Sequence, residues 1–120
     1  MNKRGYKDLH VWRESINFVP DVYRLAGRLP AHEKFALSDQ IRRAAISIPA
    51  NIAEGQASHY KKAFLHHLNI AKGSLAELHT LIIIAEQIGY VSQNELETLE
   101  SGIQGIARPL HGLISKLQGV

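Results

Sequence analysis

Phe64-Leu65-His66-His67-Leu68-Asn69-Ile70-Ala71-Lys72-Gly73-Ser74-Leu75-Ala76-Glu77-Leu78-His79-Thr80-Leu81-Ile82-Ile83-Ile84-Ala85 is the stretch that decides the fold. Within it Phe64, Leu68, Ala71, Leu75, Leu78, Ile82 and Ala85 recur at alternating steps of four and three. That spacing gathers side chains onto one face of an α-helix, whereas a strand would alternate every second residue. The helix is expected from about His59 to Ile88, with Gly89-Tyr90-Val91 ending it. Leu81-Ile82-Ile83-Ile84 makes it apolar around most of its circumference, so it needs covering on more than one side. A second subunit is the expected cover, and the chain is read as a homo-oligomer.

Similar patterns lie on both sides. Ser92-Gln93-Asn94-Glu95 has the form of a capping box, in which hydroxyl and carboxylate each satisfy a free backbone N–H. A helix over about 93–117 follows, with Leu96, Leu99, Ile103, Ile106, Leu110, Leu113 and Leu117 on its face and a kink expected at Pro109. Upstream, Phe35, Leu37, Ile41, Ala44, Ile48 and Ile52 mark a helix over about 33–55; it should kink or restart around Ser47 because of Pro49, and stop at Gly55. The first helix, about 8–29, carries two stripes. Leu9, Trp12, Ile16, Val19, Tyr23 and Ala26 form one, Val11, Phe18, Val22, Leu25 and Leu29 the other, and Pro20 should bend both. Leu29-Pro30-Ala31-His32 is the connection to the second helix. Short connections favour antiparallel neighbours, so the sequence predicts one all-α domain over 1–120, an up-down-up-down antiparallel four-helix bundle.

Composition agrees with a single soluble domain. The chain has 120 residues, 45% of them hydrophobic, and only 7% aromatic, which leans away from an all-β sandwich. It has no cysteine, hence no disulfide framework and no thiolate zinc site. The longest unbroken apolar run, Leu81 to Ala85, is far short of the ~20 residues of a membrane span. Met1-Asn2-Lys3-Arg4-Gly5 leads into no apolar segment, so no signal peptide is expected and the location is read as cytoplasmic, with no membrane partner. Charge is uneven: residues 1–72 carry twelve Lys/Arg against six Asp/Glu, and residues 73–120 two against five. A basic first half can lay an anionic partner along itself.

The catalytic templates fail. There is no GxxxxGK[ST] loop, GxGxxG, GxSxG or HExxH, and no glutamate has a histidine three residues later. His66 and His67 are adjacent and diverge by about 100° on a helix, while His59 and His66 lie about 10 Å apart, so neither pair suits one metal ion. No enzyme activity, catalytic residue, metal or cofactor is expected. Two polar stripes stand out instead. Arg43, Ser47, Asn51 and Glu54 on the second helix, with Asn69 and Glu77 on the third, are expected to form an internal network that fixes helix register, Arg43 pairing with Glu77 or Glu54. Gly73 and Ser74 should let the helix backbones approach closely.

The basic residues cluster at Lys3, Arg4, Lys7 and Arg13, at Arg42 and Arg43, and at Lys61 and Lys62. Lys7, Arg13, Arg42, Lys61 and Lys62 are the candidate phosphate contacts, and Tyr6, Trp12 and Tyr60 lie near enough to stack on unpaired bases. The expected role is a non-enzymatic accessory protein that binds RNA or DNA mostly through phosphates. The alternative is a protein-interaction scaffold that binds no nucleic acid.

Gln40-Ile41-Arg42-Arg43-Ala44-Ala45-Ile46-Ser47-Ile48-Pro49-Ala50-Asn51-Ile52-Ala53-Glu54-Gly55 resembles a signature of a four-helix bundle family. Its members include proteins encoded by intervening sequences in bacterial 23S ribosomal RNA genes and the accessory proteins of diversity-generating retroelements. Leu68-Asn69-Ile70-Ala71-Lys72-Gly73-Ser74-Leu75-Ala76-Glu77-Leu78 is similar to the family's second signature; Tyr6-Lys7-Asp8-Leu9, Trp12 and Leu29-Pro30 fit as well. The resemblance covers about Tyr6 to Leu117. It implies a homo-oligomeric, pentameric barrel-like ring and, for the retroelement members, nucleic-acid binding and association with a reverse transcriptase.

Overall fold

A computed structural model describes residues 5–119, and all the regular structure among them is helical. A 3-10 turn, Gly5–Asp8, leads into α1 (His10–Arg28), and another, Ala31–Glu33, precedes α2 (Leu37–Ala57). Then come α3 (Lys61–Ile88) and α4 (Gln93–Gln118). At 1.5 Å per residue the 28 residues of α3 span about 42 Å. The molecule measures 45 × 24 × 20 Å, so this one helix runs nearly its full length.

The periodic stripes become the core. Leu68, Ala71, Leu75, Leu78, Ile82 and Ala85 of α3 are buried, facing Ile41, Ala44, Ile48 and Ile52 of α2 and Ile103, Ile106 and Leu110 of α4. On α1 the stripe Val11, Phe18, Val22 and Leu25 is buried; of the other stripe Ala26 is buried, Leu9, Trp12 and Val19 pack on the core's edge, and Ile16 and Tyr23 are exposed. By length and mean hydropathy alone α3 suffices to cross a membrane. Here its apolar face packs against α2 and α4. Contact is most extensive between α2 and α3 and least between α1 and α4.

Polar pairs mark how the helices meet. Ser38 Oγ of α2 donates to the Ala26 carbonyl of α1 at 3.0 Å, Ser47 of α2 meets Ser74 of α3 at 2.8 Å, and His79 of α3 meets Glu100 of α4 at 2.8 Å. Arg28 of α1 pairs with Glu95 of α4. Two glycines permit close approaches. A Cβ on Gly55 would lie 2.8 Å from the Cβ of His67 and 3.2 Å from the Cα of Phe64, and one on Gly102 would lie 2.8 Å from Cδ1 of Phe18.

The turns fit the expected chemistry in part. Ser92 Oγ accepts from the Glu95 N–H at 3.1 Å and Glu95 Oε1 from the Ser92 N–H at 3.3 Å, the capping box that starts α4. Gly89, at φ 102°, ends α3 in the left-handed conformation that costs glycine nothing. Elsewhere the expectation is corrected. The second helix starts at Leu37, not near Glu33, because Ala31–Glu33 forms its own turn and Ala36 leaves the helical region at ψ −105°. Phe35 is consequently not on the core stripe but 87% exposed. The same helix runs past Gly55 to Ala57; this glycine serves packing, not termination. Nor does it restart at Ser47: α1, α2 and α4 each continue through Pro20, Pro49 and Pro109. A proline forfeits one main-chain bond, and the neighbouring turns hold the helix.

Candidate nucleic-acid interface

The α2–α3 interface holds a chain of hydrogen bonds. Ser74 meets Ser47; Asn51 Nδ2 donates to the Ser47 carbonyl at 2.8 Å and its Oγ at 3.0 Å; and Asn51 Oδ1 lies 3.0 Å from Nδ1 of His67. The far nitrogen of His67 lies 3.6 Å from Glu54. Two hydroxyls, an amide and an imidazole thus satisfy one another between apolar layers, as groups partly withdrawn from water must. Ser47 and Asn51 sit where the polar stripe places them. The other members of the expected network do not. Arg43 is 79% exposed at its side chain and pairs along its own helix with Asp39 at 3.1 Å, reaching neither Glu77 nor Glu54. Asn69 is exposed, with Nδ2 bonded to the Leu65 carbonyl at 3.0 Å, and Glu77 is exposed too. Glu54 is at the rim. Arg43 and Glu54 lie on the stripe of Ser47 and Asn51, but their long side chains carry the charge out into water, and Asn69 and Glu77 sit on the exposed side of α3. Gly73 is also exposed, and a Cβ there would meet open space, so the close approach of α2 and α3 comes from Gly55 instead. His67, the member that sequence spacing missed, becomes recognisable only once Asn51 is known to face it.

The candidate cations are all placed among the described residues, except Lys3 and Arg4, which lie outside them. Lys7 and Arg13 are exposed and joined, the Arg13 guanidinium donating to the Lys7 carbonyl at 3.1 Å. Arg42, half-buried, lies over the ring of Tyr23, 5.6 Å from its centroid. Lys61 and Lys62 are exposed in the first turn of α3, which contains no acidic residue. Among the described residues none of these five has a carboxylate within ion-pairing distance, whereas Arg24, Arg28 and Arg43 pair with Asp21, Glu95 and Asp39. The five do not form one continuous patch. Arg42 precedes the end of α2 at Ala57 by fifteen residues, about 22 Å of helix.

Two concavities open on the surface. One, about 250 Å³, lies at the α2–α3 turn and is lined by Gly55, Gln56, His59, Tyr60, Lys61 and Phe64. His59 closes that turn at φ 64°. The larger, about 740 Å³, lies where α1 and α4 diverge; Phe18, Leu25 and Leu99 give it an apolar floor, and the Arg28–Glu95 pair crosses its rim. The Arg28 guanidinium and the Ser92 N–H hold the Glu95 carboxyl below the usual carboxylate range. At the α3–α4 turn, Tyr90 donates to Glu33 Oε2 at 2.9 Å, and the accepting carboxylate raises the phenol's pKa.

These features define an all-α four-helix protein whose helices are registered by a hydroxyl–amide–imidazole chain and whose first half presents unpaired cations. The family profile for the 23S rRNA-intervening sequence protein matches residues 7–112, and the chain belongs to that family. It is also similar to a solved structure from Bacteroides thetaiotaomicron, described as a protein of unknown function from the S23 ribosomal protein family. The two are 26% identical, cover 88% of this chain and 95% of the other, and superpose with a TM-score of 0.81. No curated protein matches the chain.

Proposed function

We propose that this protein is a non-enzymatic, cytoplasmic, homo-oligomeric accessory protein that binds RNA through phosphate contacts from Lys7, Arg13, Arg42, Lys61 and Lys62. The observation that carries this reading is where the unpaired cations fall: among the described residues Arg24, Arg28 and Arg43 have carboxylate partners, and of the nine Lys and Arg without one, seven, the five named here with Lys34 and Lys72, lie in the first 72 residues. An unpaired exposed cation loses no ion pair when it meets a phosphate, and each contact releases counterions. Membership of a family named for a ribosomal RNA insertion favours RNA as the polyanion, with DNA the second choice.

An up-down-up-down course of the helices is part of the proposal. It is supported by the order of cross-contacts: Ala26 with Ser38, Ser47 with Ser74, Asn51 with His67, His79 with Glu100, and Arg28 with Glu95. On that course the starts of α1 and α3 share one end of the rod, which brings Lys7, Arg13, Lys61 and Lys62 together. A ring of copies, five in the family's pattern, would repeat that basic end around an axis. Exposed Ile70, Ile83, Ile84 and Ile88 on α3 support self-association, since a monomer gains nothing by leaving them in water.

The test compares two charge reversals in a filter-binding assay with a labelled RNA oligonucleotide. Lys61→Glu with Lys62→Glu should abolish retention; Arg24→Glu with Asp21→Arg, which swaps an existing pair, should leave it nearly unchanged. Because the swap leaves the net charge unchanged, equal loss from both would show that Lys61 and Lys62 hold no special place and would remove the assigned contacts. The scaffold reading, for which the apolar α1–α4 groove speaks, requires that the wild type itself bind no RNA at any salt concentration.

A further inference from the structure

Of the three aromatics near the basic clusters, only one is available to stack. Tyr6 and Trp12 pack against each other, their ring centroids 5.3 Å apart and their planes tilted by 58°. Elsewhere, Tyr23 lies beneath Arg42, and Tyr90 is bonded to Glu33. Tyr60 is 74% exposed and has no ring, cation or side-chain hydrogen-bond partner among the described residues. Its ring, left in water beside Lys61 and Lys62, belongs to a residue at the edge of the 250 Å³ hollow at the α2–α3 turn, whose exposed lining is mostly polar. That volume lies below the ~300 Å³ at which sites for drug-sized ligands begin, so it suits one flat ring. Phe64 also borders the hollow, and Gln56 and His59, which line it, carry the donors and acceptors that a base edge needs.

We propose that a single unpaired base of a nucleic-acid strand stacks on the exposed ring of Tyr60 with its polar edge toward this hollow, while Lys61 and Lys62 hold the flanking phosphates. The inference rests on the phosphate-binding reading above and gives it a preference: single strands over duplexes. A paired base has its faces covered by its neighbours and can reach Tyr60 only by leaving the stack, which costs free energy that an unpaired base does not pay. Stacking tolerates any base, so sequence preference is weak.

The test uses the full chain, with fluorescence anisotropy on labelled 12-nucleotide single strands of RNA and of DNA and on the corresponding duplexes, at one low salt concentration. Proteins are the wild type, Tyr60→Ala, Tyr60→Phe, and Lys61→Glu with Lys62→Glu; circular dichroism verifies that each is folded, as expected for exposed positions. Tyr60→Ala should bind single strands about five- to hundred-fold more weakly, with duplex affinity unchanged, and Tyr60→Phe should bind like the wild type. Equal single-strand binding of RNA and DNA makes the base the recognised group, and a preference for RNA adds a 2′-hydroxyl contact; both agree with the proposal. If Tyr60→Ala binds single strands as tightly as the wild type while the lysine variant does not, the base site is refuted and the phosphate contacts stand. If the wild type binds no strand at all, the phosphate reading falls and the base site with it.

Discussion

Replacing Gly55 by alanine tests the packing on which the α2–α3 interface depends. The added Cβ would lie 2.8 Å from the His67 Cβ and 3.2 Å from the Phe64 Cα. Carbon atoms pack best at about 3.5–4.0 Å, so the closer contact is short by about 0.7 Å. Neither neighbour is the end of a flexible side chain, and the helices themselves must part. Such overpacking costs about 1–3 kcal/mol. Alanine's better helix propensity returns about 0.5–1 kcal/mol. The net expectation is a loss of about 1–2 kcal/mol, or a Tm lower by about 4–8 °C. Gly112→Ala, in α4 with open space around it, gains the propensity without the clash and should stabilise by about 0.5–1 kcal/mol. Urea unfolding followed by circular dichroism, at one fixed protein concentration, measures both. If Gly55→Ala is as stabilising as Gly112→Ala, the close approach of α2 and α3 is refuted.

Other consequences are open to the same assay. Asn51→Ala leaves His67 and Ser47 short of a partner and should cost about 1–3 kcal/mol, while Arg43→Ala, which breaks only an exposed pair within one helix, should change the unfolding free energy by no more than about 0.5 kcal/mol. Because Glu95 is held below the usual carboxylate range when folded, its contribution is present above its unfolded value of about 4.3 and is lost as the pH falls through the folded value. The stability gap between wild type and Glu95→Gln should therefore be constant near neutrality and close in acid. For Tyr90 the sign reverses: its pKa is raised, so the contribution holds below the unfolded value of about 10 and is lost as the pH rises through the folded value. In spectrophotometric titration Tyr90→Phe should remove a phenol that ionises above the ordinary tyrosine value.

Long-range periodicity made the helices legible. Seven apolar positions in α3 and a capping box before α4 left little freedom, because a 3.6-residue period with one wet face has few other solutions. The errors fell where a single residue has two roles. Gly55 fits both a helix stop and a close contact, and only the position of Phe64 and His67 decides between them. Phe35 matched the helical spacing, but the Ala31–Glu33 turn moved the start of α2 beyond it. The polar network was half legible for a similar reason. Ser47 and Asn51 face α3, but Arg43 and Glu77 are long enough to reach water and do so. Free and paired cations were not separable at all, since Arg42 and Arg43 are adjacent in sequence and their partners, Tyr23 and Asp39, are set by helix geometry.

The most direct test of the central claim is the salt dependence of RNA affinity. Anisotropy of a labelled RNA strand would be titrated with purified wild-type protein at 50 and 200 mM salt, with light scattering giving the mass of the same sample. The expected result is an oligomer several times the 13.4 kDa chain, whose affinity falls steeply between the two salts as phosphate contacts are screened. An intact oligomer with no affinity at 50 mM salt, or an affinity unmoved by salt, would contradict it.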